Sequence, residues 1–323
     1  MNSRKKIFSG ICFISGLVMI LFAVHLLFLK GLRQARCYGL DVWNDIFDGT
    51  IDDRTAILGS SRAVYQFNCR TIESITQHSC YNLGLDASPV DFQLLRFKKF
   101  LEYNRKPETL VMVLGMTDLS EADEIPFPYQ YVPYLNDEDI FRKMTSYTPE
   151  FIKHRYVPLY SFCIFGKKLN AMAFHSLAGR EWRPYNPLQQ ERVKGFLSIK
   201  GSWNRDFDNL RRDHPEGLTI EVSGRQLNDL NEIIEICQKE NIKLIFVLPP
   251  AYHKVYDFFK NTEAVLGLIK GIASEKNITL LDYSRIPLTL SKEYFYNSQH
   301  LNWTGALVFS ETFAADLKKI LEK

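Results

Sequence analysis

Residues 55–62 read Thr-Ala-Ile-Leu-Gly-Ser-Ser-Arg. A short apolar run closed by glycine and serine has the pattern of a buried strand, and the segment after it is predicted to be helical. The stretch therefore encodes a strand, a tight turn and a helix start. Four more runs of this kind follow: Cys80–Leu83 (CYNL), Thr109–Leu114 (TLVMVL), Lys243–Leu248 (KLIFVL) and Ile278–Leu281 (ITLL). Between them lie helical patterns. In Val90–Tyr103, Phe92, Leu95, Phe100 and Leu101 fall on or near one stripe, with Lys98, Lys99 and Glu102 off it; Gln226–Lys239, Tyr256–Glu275 and Thr304–Leu321 follow the same logic. Strands alternating with helices predict an α/β protein with a doubly wound, mostly parallel five-stranded sheet covered on both faces. The alternation stops between about 120 and 224, where aromatic residues are dense (Tyr129, Tyr131, Tyr134, Tyr147, Tyr156, Tyr160, Trp182, Tyr185, Trp203). That stretch is expected to be a largely helical insertion after the third strand, at the carboxyl end where such sheets bind ligands.

Ahead of the sheet, Ile7 to Leu29 runs 23 residues with no Asp, Glu, Lys or Arg. At ~1.5 Å per residue it is long enough to cross a ~30 Å hydrocarbon core. No short apolar core with an A-x-A cleavage pattern precedes Lys30, so an uncleaved signal anchor is expected. Basic residues flank both ends, Arg4, Lys5 and Lys6 before and Lys30, Arg33 and Arg36 after, and the positive-inside count is tied. The shortness of the head breaks the tie. It is expected to stay in the cytoplasm, with residues 31–323 outside. The organisation expected is a head and transmembrane helix over 1–30, a linker over 31–50 and a sheet domain over 51–323 carrying the insertion.

Charge excludes one class of partner. With 40 Lys+Arg against 37 Asp+Glu the net charge is +3, and the basic residues are dispersed, so nucleic acid is not expected. The six cysteines (Cys12, Cys37, Cys69, Cys80, Cys163, Cys237) show no C-x-x-C and no zinc spacing, so neither a metal nor a cofactor is expected. Cys69 and Cys80 are the closest in sequence and the most plausible pair in an oxidising compartment.

Two polar loops carry the chemistry. A serine on a strand-to-helix turn presents its hydroxyl beside unpaired N–H groups and the positive end of a helix dipole, which places Ser61 as a nucleophile with its own N–H facing a developing oxyanion. The alternative is that Ser60 or Ser61 is an N-cap. Near the C-terminus, Asn297-Ser298-Gln299-His300-Leu301-Asn302 leads into the last helix. A serine needs a base, and His300, oriented by Asn297 three residues earlier, is the candidate. A doubly wound sheet brings both loops to the same rim.

Taken with Asn82-Leu83-Gly84 after the second strand and Gly115-Met116-Thr117-Asp118 after the third, this order of blocks resembles the SGNH/GDSL hydrolase superfamily over about 50–310. The resemblance implies a flavodoxin-like fold with Ser61 as nucleophile, Gly84 as an oxyanion-hole N–H donor and His300 as general base. It also marks two departures. Thr117 stands where an Asn amide is usual, and Asn297 stands where Asp is usual. Arg62 and Asp118 are the expected substrate contacts, Arg62 through an acidic or acylated glycan group. For Arg62 the alternative is pairing with an acidic neighbour; for Asp118, as for Asp282, it is lending charge to His300. Anchored members with a short G-S-S-R block and a large insertion look like those that accompany envelope polysaccharide O-acylation. The function implied is an ester hydrolase or O-acyltransferase on O-acyl esters of an envelope glycan, with a multispanning acyltransferase as a potential partner. The alternative is a catalytically degraded binding or assembly module on the same fold, which Thr117 and Asn297 favour.

Overall fold

A computed structural model describes residues 2–37, 39–180 and 189–322. The chain divides into two units, Met1–Asn44 with Phe127–Pro184, and Asp45–Pro126 with Tyr185–Lys323. In the first, α1 (Asn2–Arg33) is one continuous helix holding the whole apolar run. From Ile7 to Phe22 its large apolar side chains are not covered by protein, Ile7, Phe8, Phe13 and Met19 among them, so it is not a buried core helix. Residues 31–50, expected as a linker, carry a helix, α2 (Leu40–Phe47), because Leu40, Trp43 and Ile46 recur at helical spacing and are fully buried. Within the first unit Trp43 stacks edge-on to Tyr131 and its indole N–H donates to Gln130 Oε1 at 3.2 Å. Asn44 donates to the carbonyls of Leu32 and Ala35 and accepts from the Tyr134 hydroxyl, closing the end of α1.

The second unit contains the sheet. Strand β1 (Thr55–Gly59) leads into α3 (Ser61–Gln66) and α4 (Cys69–Thr76); β2 (Cys80–Asn82), α5 (Val90–Tyr103) and β3 (Thr109–Val113) follow. The chain then passes to the first unit for α6 (Glu138–Tyr147), α7 (Phe151–Tyr156), α8 (Tyr160–Ile164) and α9 (Gly166–Leu177). It returns with β4 (Gln189–Val193), β5 (Phe196–Ile199) and α10 (Asp206–Asp213). The remaining elements are α11 (Gly224–Lys239), β6 (Lys243–Leu248), α12 (His253–Phe258), α13 (Thr262–Glu275), β7 (Thr279–Asp282) and α14 (Trp303–Leu321). The sheet order is β2-β1-β3-β6-β7, all parallel, the doubly wound order expected. Every residue of β1 and β3 is buried, the consequence of helices on both faces.

Two expectations are revised. The 120–224 stretch is helical over α6–α9 but also contains the antiparallel hairpin β4–β5. Its two-residue turn, Lys194-Gly195, has both φ angles positive (47° and 81°), the geometry that matches strand twist. The turn carbonyl of Lys194 accepts from Asn82 N–H at 2.9 Å, so the hairpin tip covers the open edge of β2. Lys194 Nζ then pairs with Asp53 and Glu73, which hold its ammonium charged far up the pH scale despite partial burial. The single helix expected over Tyr256–Glu275 is broken at 259–261. There Phe259 makes a parallel bridge to Leu218 and the Asn261 amide pairs with both backbone groups of Ile220. Trp182 and Tyr185 lie outside the described residues. The Cys69 and Cys80 thiols are buried and 3.1 Å apart, joining α4 to β2; burial and the neighbouring thiol push the Cys69 pKa well up.

Candidate active site

The turn after β1 aims two adjacent serines in different directions. Ser60 is buried and its Oγ donates to Asp118 Oδ1 at 2.9 Å. It sits at the N-cap position of α3 but makes no side-chain capping bond. Ser61, one residue on, is partly exposed, and its Oγ lies 2.7 Å from His300 Nε2. The backbone N–H of Ser61 meets no acceptor among the described residues, as expected for the first turn of a helix.

The loop that carries His300 is held from three sides. Its backbone turns back on itself, with Tyr296 N–H donating to the His300 carbonyl and Phe295 bridging Leu301. Asn302 caps α14 through the Gly305 N–H and donates to the Glu293 carbonyl. Gln66, fully buried on the helix of Ser61, donates to the carbonyls of Gln299 and Pro250. The nucleophile's helix is thereby tied directly to the base's loop.

His300 is half-buried, and its pKa is pushed down to about 4. Burial is the main cause and the Arg62 cation adds to it, while the carboxylates of Asp86, Asp118 and Asp206 pull the other way. At neutral pH the ring is a free base with Nε2 facing the serine hydroxyl. Its edge rests against the Tyr65 ring at 5.3 Å, and the Tyr65 hydroxyl donates to Asp86 Oδ2 at 2.7 Å. Tyr65 and Asp86 were not singled out in the sequence. Tyr65 stands four residues after Ser61, one helical turn on the same face, and that spacing is the signal that would have found it.

Four sequence expectations need correction. Asn297 does not orient the imidazole. Its Oδ1 accepts from the backbone N–H groups of Gln299 and His300 at 3.0 and 2.9 Å, so its amide shapes the loop instead. Among the described residues, His300 Nδ1 has no hydrogen-bond partner. Gly84 N–H is not free for an oxyanion, because it donates to Asn82 Oδ1 at 2.9 Å. That Asn82 side chain also donates to the carbonyls of Ala63 and Phe67, drawing the loop so close to α3 that a Cβ on Gly84 would stand 2.8 Å from Val64 N. Arg62 and Asp118 are spent on each other. They are 3% and 4% exposed and 3.3 Å apart, and Asp118 Oδ2 takes the Gly115 N–H at 2.7 Å. The guanidinium lies so near Gly115 that a Cβ there would fall 1.9 Å from Arg62 Cζ. Asp282 does not lend charge to His300; its carboxylate pairs with Lys270 and Ser284.

Thr117 accepts from Arg62 at 3.3 Å through its hydroxyl oxygen, which leaves the hydroxyl proton available to donate. Ser61, Arg62, Thr117 and Asp118 together line a cavity of about 220 Å³, with Ala87, Pro89 and Gln299 also on its wall. No group of three or more His, Cys, Asp or Glu side chains suited to a metal occurs among the described residues. The arrangement supplies an accessible hydroxyl, a neutral base in hydrogen-bond contact with it, and N–H and O–H donors on the same cavity, which is the equipment for acyl transfer.

No family model matches the sequence, and no curated protein matches it. Several solved structures are similar to it. One, described as a lipolytic protein of the G-D-S-L family from Desulfitobacterium hafniense, has 13% identity and a TM-score of 0.39 over 81% of this chain and 98% of that one. Another, described as an acylhydrolase from Bacteroides fragilis, has 10% identity and a TM-score of 0.38 over 84% and 89%. A third, described as a platelet activating factor from Streptococcus pneumonia, has 11% identity and a TM-score of 0.40 over 94% and 99%. At these scores and identities they are similarities only, and assign neither fold nor activity.

Proposed function

We propose that this chain is a membrane-anchored serine ester hydrolase or O-acyltransferase of SGNH type, acting on acyl esters of cell-envelope polysaccharide with its sheet domain outside the cytoplasm. The observation that carries the reading is the 2.7 Å contact between Ser61 Oγ and His300 Nε2. As Oγ attacks the ester carbonyl, its proton passes to Nε2 and the carbonyl oxygen becomes an oxyanion held by Ser61 N–H and the Thr117 hydroxyl. His300 then gives that proton to the departing alkoxide, and Ser61 keeps the acyl group. Water or a sugar hydroxyl next yields a proton to His300 and attacks the acyl carbon; the bond to Ser61 Oγ breaks, His300 returns the proton to that oxygen, and the acyl group leaves as free acid or sugar ester. The long apolar α1, whose large apolar side chains are exposed from Ile7 to Phe22, supports placing this chemistry at a membrane. The glycan reading rests on the resemblance of the sequence blocks.

The test is covalent labelling. A fluorophosphonate probe on the detergent-solubilised full chain is expected to label Ser61, with labelling abolished in Ser61→Ala. A folded wild-type chain that takes no label favours the second reading, a binding module on the same fold. That reading draws on the occupied Gly84 N–H and on the imidazole Nδ1 without an acceptor.

Asn297→Asp separates loop shape from charge. The carboxylate keeps both backbone acceptor bonds and adds a negative charge in the base's own loop, favouring the protonated ring. The acid limb of the pH–rate profile is expected to move up from about 4 and turnover to rise. An unmoved limb would mean that the added charge does not reach the imidazole.

A further inference from the structure

The 30 residues from Phe151 to Arg180 contain no Asp or Glu, but hold Lys153, Arg155, Lys167, Lys168 and Arg180 and six Phe or Tyr residues. They form α7, α8 and α9 of the first unit. Their apolar side chains do not all turn inward: Ile152, Tyr156, Val157, Ile164 and Phe174 are 46% to 63% exposed. Basic, aromatic and acid-free, with apolar residues facing out, the segment has the composition of helices that lie in a bilayer's headgroup layer.

Its position points the same way. Phe162 on α8 stacks edge-on against both His25 and Phe28 of α1, at 5.9 and 5.0 Å, and Leu159 N–H donates to His25 Nδ1 at 3.2 Å. On α9, Ala173 comes so close to α1 that a Cβ on Gly31 would fall 2.4 Å from its carbonyl oxygen. His25 and Phe28 belong to the apolar run itself. From Ile7 to Val24 there are 18 residues, a rise of ~27 Å against a hydrocarbon thickness of ~30 Å. With Ile7 at one hydrocarbon boundary, His25 would stand at the other, and α8, which touches it, would stand there too.

We infer that α7–α9 are a second membrane-contact surface, an interfacial platform that seats Ile164, Phe174 and their apolar neighbours in the headgroup layer beside α1 and turns Lys167 and Arg180 to anionic lipid, while Lys153, Arg155 and Lys168 are engaged by Glu150, Glu138 and Tyr129. The occupant is the bilayer, because the surface continues the exposed apolar face of α1 and its charge complements acidic headgroups. The inference rests on reading α1 as a span and is independent of the chemistry at Ser61.

The experiment places tryptophan at Ile164, Phe174 and, separately, Val18 in the full chain. Each variant is reconstituted in phosphatidylcholine–phosphatidylglycerol vesicles whose acyl chains are brominated either near the headgroup or deep in the core. Emission is taken as the difference from the wild-type chain, whose four tryptophans set the background. Ile164→Trp and Phe174→Trp are expected to lose at least about twofold in emission with shallow bromines and to be shielded from aqueous iodide, and Val18→Trp to be quenched by deep bromines. Quenching at Val18 with none at 164 and 174, and free access of iodide there, overturns the platform and leaves the anchor standing. No quenching at Val18 overturns the anchor and the platform with it.

Discussion

His300→Ala is expected to lower ester turnover by at least about a hundredfold while leaving the chain folded, since the ring is the base in hydrogen-bond contact with the Ser61 hydroxyl and positioned general-base catalysis contributes roughly 10²–10⁴-fold. The loss should fall on kcat more than on KM, because the imidazole acts on the proton in flight and not on the bound ester. In the wild type the acid limb of the kcat/KM profile is expected near pH 4, not near the ordinary histidine value of 6.5, because burial and Arg62 hold the ring neutral. The sign is fixed: the rate is full where the ring is unprotonated and falls as pH drops through its folded-state pKa. The same depression has a consequence for stability. Between pH 6.5 and about 4 the unfolded chain binds a proton that the folded one refuses, so this site costs stability on acidification, and His300→Ala removes that slope. A variant with unchanged turnover would remove His300 from the chemistry, whereas a limb near 6.5 would mean that burial and Arg62 do not depress the ring.

Asp118→Ala carries the largest expected cost to the fold. The carboxylate is the shared acceptor for Ser60 Oγ, Gly115 N–H and the buried Arg62 guanidinium. Removing it strands a cation that is almost wholly out of water, a loss of about 3–5 kcal/mol for comparable buried pairs. It should appear as a lower urea midpoint of the full chain in micelles with an unchanged slope. A second variant controls for the loss of size. Removing both charges, with Arg62→Met and Asp118→Leu together, is expected to recover much of the midpoint, since apolar replacement of a buried ion pair is often neutral. A midpoint shift below about 1 kcal/mol for Asp118→Ala would place the pair among those that contribute little.

Ser61 and His300 were legible because each sits at local punctuation, a strand running into Gly-Ser-Ser and a polar loop running into a capped helix. The five strands were legible for the same reason: a parallel sheet buried on both faces leaves unbroken apolar runs. What the sequence hid depends on contacts across long separations. Nothing local says that Arg62 will find Asp118, or that Gly115 is small to admit a guanidinium from 53 positions away. Asn297 shows the limit at short range. The residue is next to the base, yet its oxygen satisfies two backbone N–H groups, and no pattern distinguishes an amide aimed at a ring from one aimed at its own loop. The β4–β5 hairpin is hidden because β4 is polar, β5 is only four residues long, and its one clear mark, Lys194-Gly195, is weaker than an Asn-Gly turn.

The tie between Gln66 and the carbonyl of Gln299 joins parts of the chain separated by 233 positions. During synthesis Ser61 emerges 239 residues before His300, so a growing polypeptide carries the alcohol without its base until the loop before α14 is available to dock. On the proposed reading, an exported chain gains reactivity only once residue 300 has followed Ser61, and any product truncated before that residue would be silent.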